Sequence, residues 1–204
     1  ESLGFIKRSK KAMIHNFLKD KQVILASASP RRKEIFKLIG VKALQMPSHI
    51  DEDIIYDNPI KLVKFHAENK AKEIRKKVDN DYLIVAADTI VYHDKKVLFK
   101  PSNVHQAAEF LTQLSDASHY VYTGVAIAYK NNLISDYEKT RVEFNPLTAL
   151  EIEEYIKTKE SMDKAGAYGI QGYGSQFIRR VSGCYFNVMG FPVSLFYNML
   201  KRIL

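Results

Sequence analysis

Val23-Ile24-Leu25-Ala26-Ser27-Ala28-Ser29-Pro30-Arg31-Arg32-Lys33 is the stretch that decides the fold. It reads as a buried strand, a tight turn and the start of a helix. Ser29 is a good N-cap, and Pro30 fits the first helical position. Glu34, Ile35, Phe36, Leu38 and Ile39 carry the helix to Gly40, a natural stop. Arg31, Arg32 and Lys33 then crowd a first turn that is already partly positive. An anion resting there resolves the conflict. Free backbone N–H groups, the hydroxyls of Ser27 and Ser29 and two guanidinium forks make a polyphosphate site. The competing reading is a solvated basic helix start that tolerates a few tenths of a kcal/mol of repulsion.

The flanking segments set the architecture. Strand one covers about 22–26, the first helix about 30–39, and Val41 to Met46 reads as a second strand. A long helix is predicted from Pro59 to Val78, because Ile60, Val63, Ala67, Ala71, Ile74 and Val78 recur at spacings of three and four. Tyr82 to Ala87 is nearly all apolar, a strand buried on both faces that ends in Asp88-Thr89. Ile90 to Tyr92 and Val97-Leu98 flank a turn, and a helix follows at about 103–115. Strands at about 119–129 and 133–144 form a hairpin joined at Asn131-Asn132. A helix at about 148–158 and a stretch studded with Gly166, Gly169, Gly172 and Gly174 come next. A short strand near Phe177 to Val181 and an amphipathic helix at about 191–203 close the chain. Alternating helices and strands with a central hairpin predict an α/β fold with a mixed sheet. Residues 1–20, in which Phe5, Ile6, Met13, Ile14, Phe17 and Leu18 make a weak amphipathic set, read as an N-terminal extension to a domain spanning 21–204.

A chain of 204 residues buries a full core, as one domain or as two lobes sharing a cleft. No apolar run is long enough to cross a membrane. Cys184 is the sole cysteine, which excludes an internal disulfide framework and a cysteine-rich zinc site and predicts a reducing, cytoplasmic setting. The net charge of +8 suits an anionic ligand without choosing among nucleotide, nucleic acid and acidic membrane surface. Much of that excess lies in residues 7–21 and around Lys70 to Lys77, where solvated lysine faces account for most of it.

Asp88 is the best general-base candidate. It closes a buried strand, where α/β folds place their ligand crevice, and desolvation there raises a carboxyl toward neutrality. The other reading is an aspartate capping a turn. Glu52 lies between Asp51 and Asp53. One such carboxylate with Asp88 suffices for a hard divalent cation, magnesium or manganese, that is held partly by substrate phosphates. Spacing alone favours a solvated acidic loop. Lys70, on the edge of the long helix's apolar stripe, and Lys100, kept extended by Pro101, are candidate phosphate contacts or else surface lysines. In Asp163 to Gly172, glycines around Gln171 let the backbone approach a ligand, and the amide can read a base edge. A flexible surface loop is the alternative. The six histidines show no metal-ligand spacing, and the dinucleotide fingerprint, Walker-type loop and serine-hydrolase elbow are all missing.

Taken in order, Ser27-Ala28-Ser29-Pro30-Arg31-Arg32, Asp51-Glu52, Ala67-Glu68-Asn69-Lys70-Ala71, Ala87-Asp88-Thr89, Lys100-Pro101, Tyr122-Thr123-Gly124, Asp163 to Gly172 and Asn187 to Pro192 resemble the Maf family of nucleoside triphosphate pyrophosphatases. The resemblance covers roughly residues 22–204. It implies a two-lobed α/β fold with a mixed sheet and a central nucleotide cleft, similar to inosine triphosphate pyrophosphatases. It implies hydrolysis between the α- and β-phosphates, with Asp88 as the proton acceptor. It places Arg31, Arg32, Lys70 and Lys100 on the phosphates and Glu52 near a divalent metal. Arg31, Thr89 and Gln171 match positions tied to base selection, and the Asp-Thr pair with Gln171 resembles the dTTP and UTP subfamily. The resemblance also implies a homodimer and a link to septum formation and division arrest. Phe99, where many members have glutamate, Phe191 in place of leucine and the stretch before residue 21 depart from the pattern. A nucleic-acid-binding or division-regulating protein using the same basic cleft without turnover is one competing reading, and a house-cleaning pyrophosphatase for modified pyrimidine nucleotides, such as those of pseudouridine or 5-methyl bases, is the other. The compactness of the helix-start cations speaks against a nucleic-acid partner.

Overall fold

The computed structural model describes residues 13–50 and 56–204. Glu52 with its neighbours Asp51 and Asp53, Phe5, Ile6 and the cations between residues 7 and 11 lie outside the described residues. The opening strand, β1 (Val23–Leu25), pairs in parallel with β2 (Leu44–Gln45) on one side and β3 (Leu83–His93) on the other. β3 then runs antiparallel to β5 (Ser118–Tyr129), β5 to β6 (Asn132–Phe144), and β6 to β7 (Ile178–Ser182). β4 (Lys96–Leu98) folds back on β3 through Asp94 and Lys95, both at positive φ, which matches the strand twist of a two-residue hairpin. The result is the mixed sheet that the pattern predicts.

Several boundaries differ from the pattern. The second strand shrinks to two residues, because its parallel partner is itself only three long. The central hairpin turns at Lys130-Asn131, with Tyr129 opposite Asn132 and Lys130 in the left-handed region. The strand expected to stop at Ala87 runs on to His93, because β5 pairs with it from Ile84 to Tyr92. Asp88 is therefore a mid-strand residue. What ends near it is the neighbouring strand. β1 pairs with β3 only up to Val85, and β4 begins pairing at Val91. Asp88 and Thr89 fall in the gap left on that edge.

Helices cover both faces. α3 (Pro59–Arg75) starts at Asn58, whose side chain accepts from the N–H groups of Ile60 and Lys61, with Pro59 in the first turn. It packs Ala67, Ala71 and Ile74 on Ile24, Ile84 and Ala86. It also crosses β5 at Gly124, where a Cβ would overlap the backbone carbonyl of Val63. The other face carries two apolar clusters. One joins α1 (Ile14–Leu18), α2 (Pro30–Leu38) and α7 (Val193–Ile203) through Phe17, Phe36, Phe191 and Phe196 over Leu25 and Val85. Phe17 and Leu18, from the stretch before residue 21, are thus part of the core. The second cluster joins α4 (Val104–Leu114) and α5 (Ala149–Lys157) to Val91, Val121 and Phe144. α6 (Tyr185–Met189), a five-residue helix that the pattern does not announce, lies next to the left-handed Gly190. The two lobes are these two clusters on one continuous sheet, and the gap in the β3 edge opens between them.

Candidate active site

The gap opens into a cleft of about 670 Å³, within the range of about 300–1,000 Å³ usual for small-molecule sites. Its walls are the β1–α2 loop with Ser27, Arg31 and Arg32, the bare edge of β3 with Asp88 and Thr89, Phe99 and Lys100 after β4, and the loop from Asp163 to Gln171. Every described candidate from the sequence reaches this one cleft. A second groove of about 570 Å³, edged by Lys72, Lys76 and Lys130, lies at the far end of α3 and carries none of them.

Asp88 is 7% exposed and faces α3. Lys70 Nζ donates to its Oδ1 at 2.7 Å, and His66 Nδ1 lies 3.3 Å from its Oδ2. Burial raises the Asp88 carboxyl. The charge of Lys70, the His66 ring beside Oδ2, the hydrogen bond from Lys70 and the charge of Arg32 outweigh burial, so the carboxyl is held well below the ordinary range. The expected rise toward neutrality is therefore reversed in the free cleft. Lys70 itself is 9% exposed, so the surface-lysine alternative fails. At an effective dielectric near 20 such a pair gains about 4 kcal/mol. Burying each ion costs several kcal/mol, so the pair adds little to stability.

Arg32 is buried as well, and its fork is spent on the protein. Nε donates to the Gly190 carbonyl at 2.9 Å, one terminal nitrogen to Ser27 Oγ at 2.9 Å, and the other to Thr89 Oγ1 at 3.0 Å. Thr89 Oγ1 in turn lies 2.9 Å from Thr123 Oγ1, and the Thr123 hydroxyl donates to the Asn187 carbonyl at 3.3 Å. Ser27 Oγ also accepts from the Ser29 N–H at 3.2 Å, while the Ser29 side chain makes no capping bond. Ser29 holds the predicted position, but Ser27 satisfies the local donor. Arg31 crosses the cleft to Asp163, binding the carboxylate at 2.8 Å and the backbone carbonyl at 3.1 Å. Burial raises the Asp163 carboxyl, and Lys164 and Arg31 more than offset it and hold it low. Lys33 points to solvent. The helix-start cations therefore have protein or solvent partners in the free cleft, and a bound anion is not needed to balance them.

Lys100 and Gln171 are exposed and line the cleft. Phe99 lines it too, while its ring packs on the cluster of Leu62, Ile90 and Tyr122. Its carbonyl accepts from the Gly166 N–H at 3.1 Å, tying the Lys100 segment to the glycine loop. Phe191 lies in the core, ring to ring with Phe36 and Phe196, away from the chemistry. The loop is pinned by Glu160, whose carboxylate accepts from the Tyr155 hydroxyl and the N–H groups of Tyr173 and Gly174. His66, Thr123, Asn187 and Glu160 escape a reading of the sequence for chemistry. Thr123 and Asn187 stand in stretches that carry the resemblance but have no role assigned there, and His66 leaves a signal by standing four residues before Lys70 on one helix face.

A family model described as Maf-like protein matches residues 22–203. A protein from Bacillus thuringiensis named dTTP/UTP pyrophosphatase is 44% identical over 183 residues, which cover 89% of this chain and 95% of that protein. A Bacillus cereus protein of the same name is 44% identical over 183 residues, covering 89% of this chain and 90% of its own. A Bacillus anthracis protein, again so named, is 43% identical over 183 residues, covering 89% and 95%.

Proposed function

This chain belongs to the Maf-like protein family, and from that membership and the cleft we propose that it is a nucleoside triphosphate pyrophosphatase, a hydrolase of acid anhydrides, acting on dTTP and UTP. The observation that carries the reading is the buried carboxylate of Asp88, set among cations at the floor of a nucleotide-sized cleft. Lys100 at the mouth draws in the triphosphate, and Arg31 exchanges the Asp163 carboxylate for a phosphate oxygen as it arrives. Lys70 leaves Asp88 Oδ1 for a phosphate oxygen. That removes the charge that depresses the carboxyl most among the groups facing it and brings phosphate charge close, so Asp88 becomes a better base as substrate binds. Asp88 takes a proton from water as the water oxygen bonds to the α-phosphorus. The bond from the α-phosphorus to the bridging oxygen breaks, and pyrophosphate leaves with the electron pair. Lys70, Lys100 and Arg31 offset the charge that builds on it.

Among the described residues no group of three or more His, Cys, Asp or Glu gathers around a common point. Asp88 nevertheless offers hard carboxylate oxygens at the cleft floor, and one or two carboxylates with phosphate oxygens are the usual holders of magnesium or manganese. Asp88 and Glu52 would hold such a cation, which supplies neutralisation of phosphate charge and orientation of water. The hydroxyl of Thr89 is engaged by Arg32 and Thr123, so Thr89 acts on selection by fixing Arg32. Gln171, exposed in the cleft, offers the amide that reads the base.

The test is a panel of nucleoside triphosphates, common and modified, with magnesium or manganese, scoring pyrophosphate against inorganic phosphate. Pyrophosphate from dTTP and UTP is the expected result. Inorganic phosphate in its place, or silence across the panel from folded protein, overturns the reading. Steeply salt-dependent binding of RNA or DNA without turnover would put a binding protein in its place.

A further inference from the structure

Asp88 is approached from two positions on one helix, by a hydrogen bond from Lys70 and by the nearby Nδ1 of His66, which lies outside hydrogen-bond geometry in the free cleft. Lys70 reaches Oδ1 at 2.7 Å, and His66 Nδ1 stands 3.3 Å from Oδ2. The two residues are one turn apart on α3, so they project from the same face. Proton acceptance by Asp88 and charge neutralisation by the cations leave His66 with no role in the reaction as described. Its exposure is 1%, and its ring lies 6.0 Å from that of Phe65.

We propose that His66 is the positioning residue for Asp88, donating its Nδ1–H to Oδ2 so that Oδ1 stays aimed into the cleft when Lys70 moves to the substrate. The inference rests on Asp88 being the proton acceptor. Oδ2 belongs to an ionised carboxylate and can only accept, so Nδ1 carries the proton. The terminal torsion of an aspartate is broad, so a carboxylate held at neither oxygen swings freely. Lys70 holds it in the free cleft but is the group that the phosphates recruit. His66 lies behind the carboxylate, buried, and keeps its contact through the reaction. A separation of 3.3 Å is long for a bond to an anion, and such contacts tighten in working complexes.

The experiment keeps Asp88 intact and compares His66→Leu with His66→Asn. Leucine fills the space without a donor, and asparagine places an N–H near the position of Nδ1. Each is measured for Tm, for Kd of a non-hydrolysable triphosphate analogue, and for kcat and KM of pyrophosphate release. The expected result for His66→Leu is a folded protein with Kd and KM within twofold and kcat lower by about tenfold or more. His66→Asn recovers most of kcat. A leucine variant that keeps kcat within twofold overturns the proposal, as does a loss confined to KM. A folded asparagine variant no faster than leucine also overturns it. If leucine fails to fold, His66→Gln replaces it, since glutamine keeps the amide but moves the donor away from Oδ2. Asparagine must then be the faster of the two. Asp88→Asn runs alongside. If that variant turns over like the parent, the base assignment has failed, whatever His66 does.

Discussion

Replacing Arg32 with lysine separates a structural strut from a phosphate ligand. Arg32 joins three parts of the chain, through Ser27 on the loop after β1, Thr89 on β3 and the Gly190 carbonyl after α6, at 2.9, 3.0 and 2.9 Å respectively. Lysine keeps the charge but cannot fork, so it serves at most one of these diverging acceptors. Hydrogen bonds to charged groups contribute about 1.5–3 kcal/mol each, so losing two costs about 3–6 kcal/mol. Ser27 keeps the Ser29 N–H and Thr89 keeps Thr123, so neither hydroxyl is stranded, and the lower end, about 3 kcal/mol, applies. At about 2–4 °C per kcal/mol for a chain of this size, Tm falls by about 6–12 °C. The assay is thermal unfolding without nucleotide, backed by urea unfolding. Pyrophosphate release is then measured well below the lowered Tm. A lysine variant that melts within about 2 °C of the parent refutes the strut, and Arg32 would then be held for substrate alone.

Two further perturbations test other parts of the structure. His119 is buried, its Nε2 lies 2.7 Å from the Tyr168 hydroxyl, and burial with the charge of His93 pushes it down to about 3. Because the folded value is depressed, the unfolded chain takes up the proton first. The stabilisation is full above about pH 6.5 and is lost as pH falls toward 3, about 2 kcal/mol of it between pH 7 and pH 5. Urea unfolding at the two pH values should show that loss in the parent and much less in His119→Gln, and parallel losses would refute the assignment. Gly124→Ala sets a Cβ against the Val63 carbonyl of α3. It should cost at least about 3 kcal/mol by urea unfolding and reduce turnover as well, since His66 and Lys70 ride on that helix.

The parts legible in the sequence are those fixed by neighbouring residues. Ser27 to Lys33 declares strand, turn and helix through its proline and its polarity, and α3 declares itself through an apolar stripe at helical spacing. The hairpin of β5 and β6 shows as two long strands with asparagines between them. The rest depends on distant partners. Asp88-Thr89 reads as a strand end because two polar residues interrupt an apolar run. The strand continues because β5, more than thirty residues on, pairs with it, and the polarity marks the gap between β1 and β4 instead. Lys70 looks like a surface lysine until Asp88, eighteen positions away, meets it. Arg31 looks free for an anion until Asp163, 132 positions away, closes on it. The depressed carboxyl of Asp88 follows from the same meetings, which residue spacing cannot forecast. α6 is too short for a periodic signal.

The most direct test of the account compares Asp88→Asn with the parent chain in pyrophosphate release from dTTP and UTP, with binding of a non-hydrolysable triphosphate measured on the same samples. Asparagine keeps the size and polarity of the side chain but accepts no proton from water. The account predicts kcat lower by about 10²–10⁴-fold in a folded protein that still binds the analogue. Turnover within about tenfold of the parent would contradict it and remove Asp88 from the role of base.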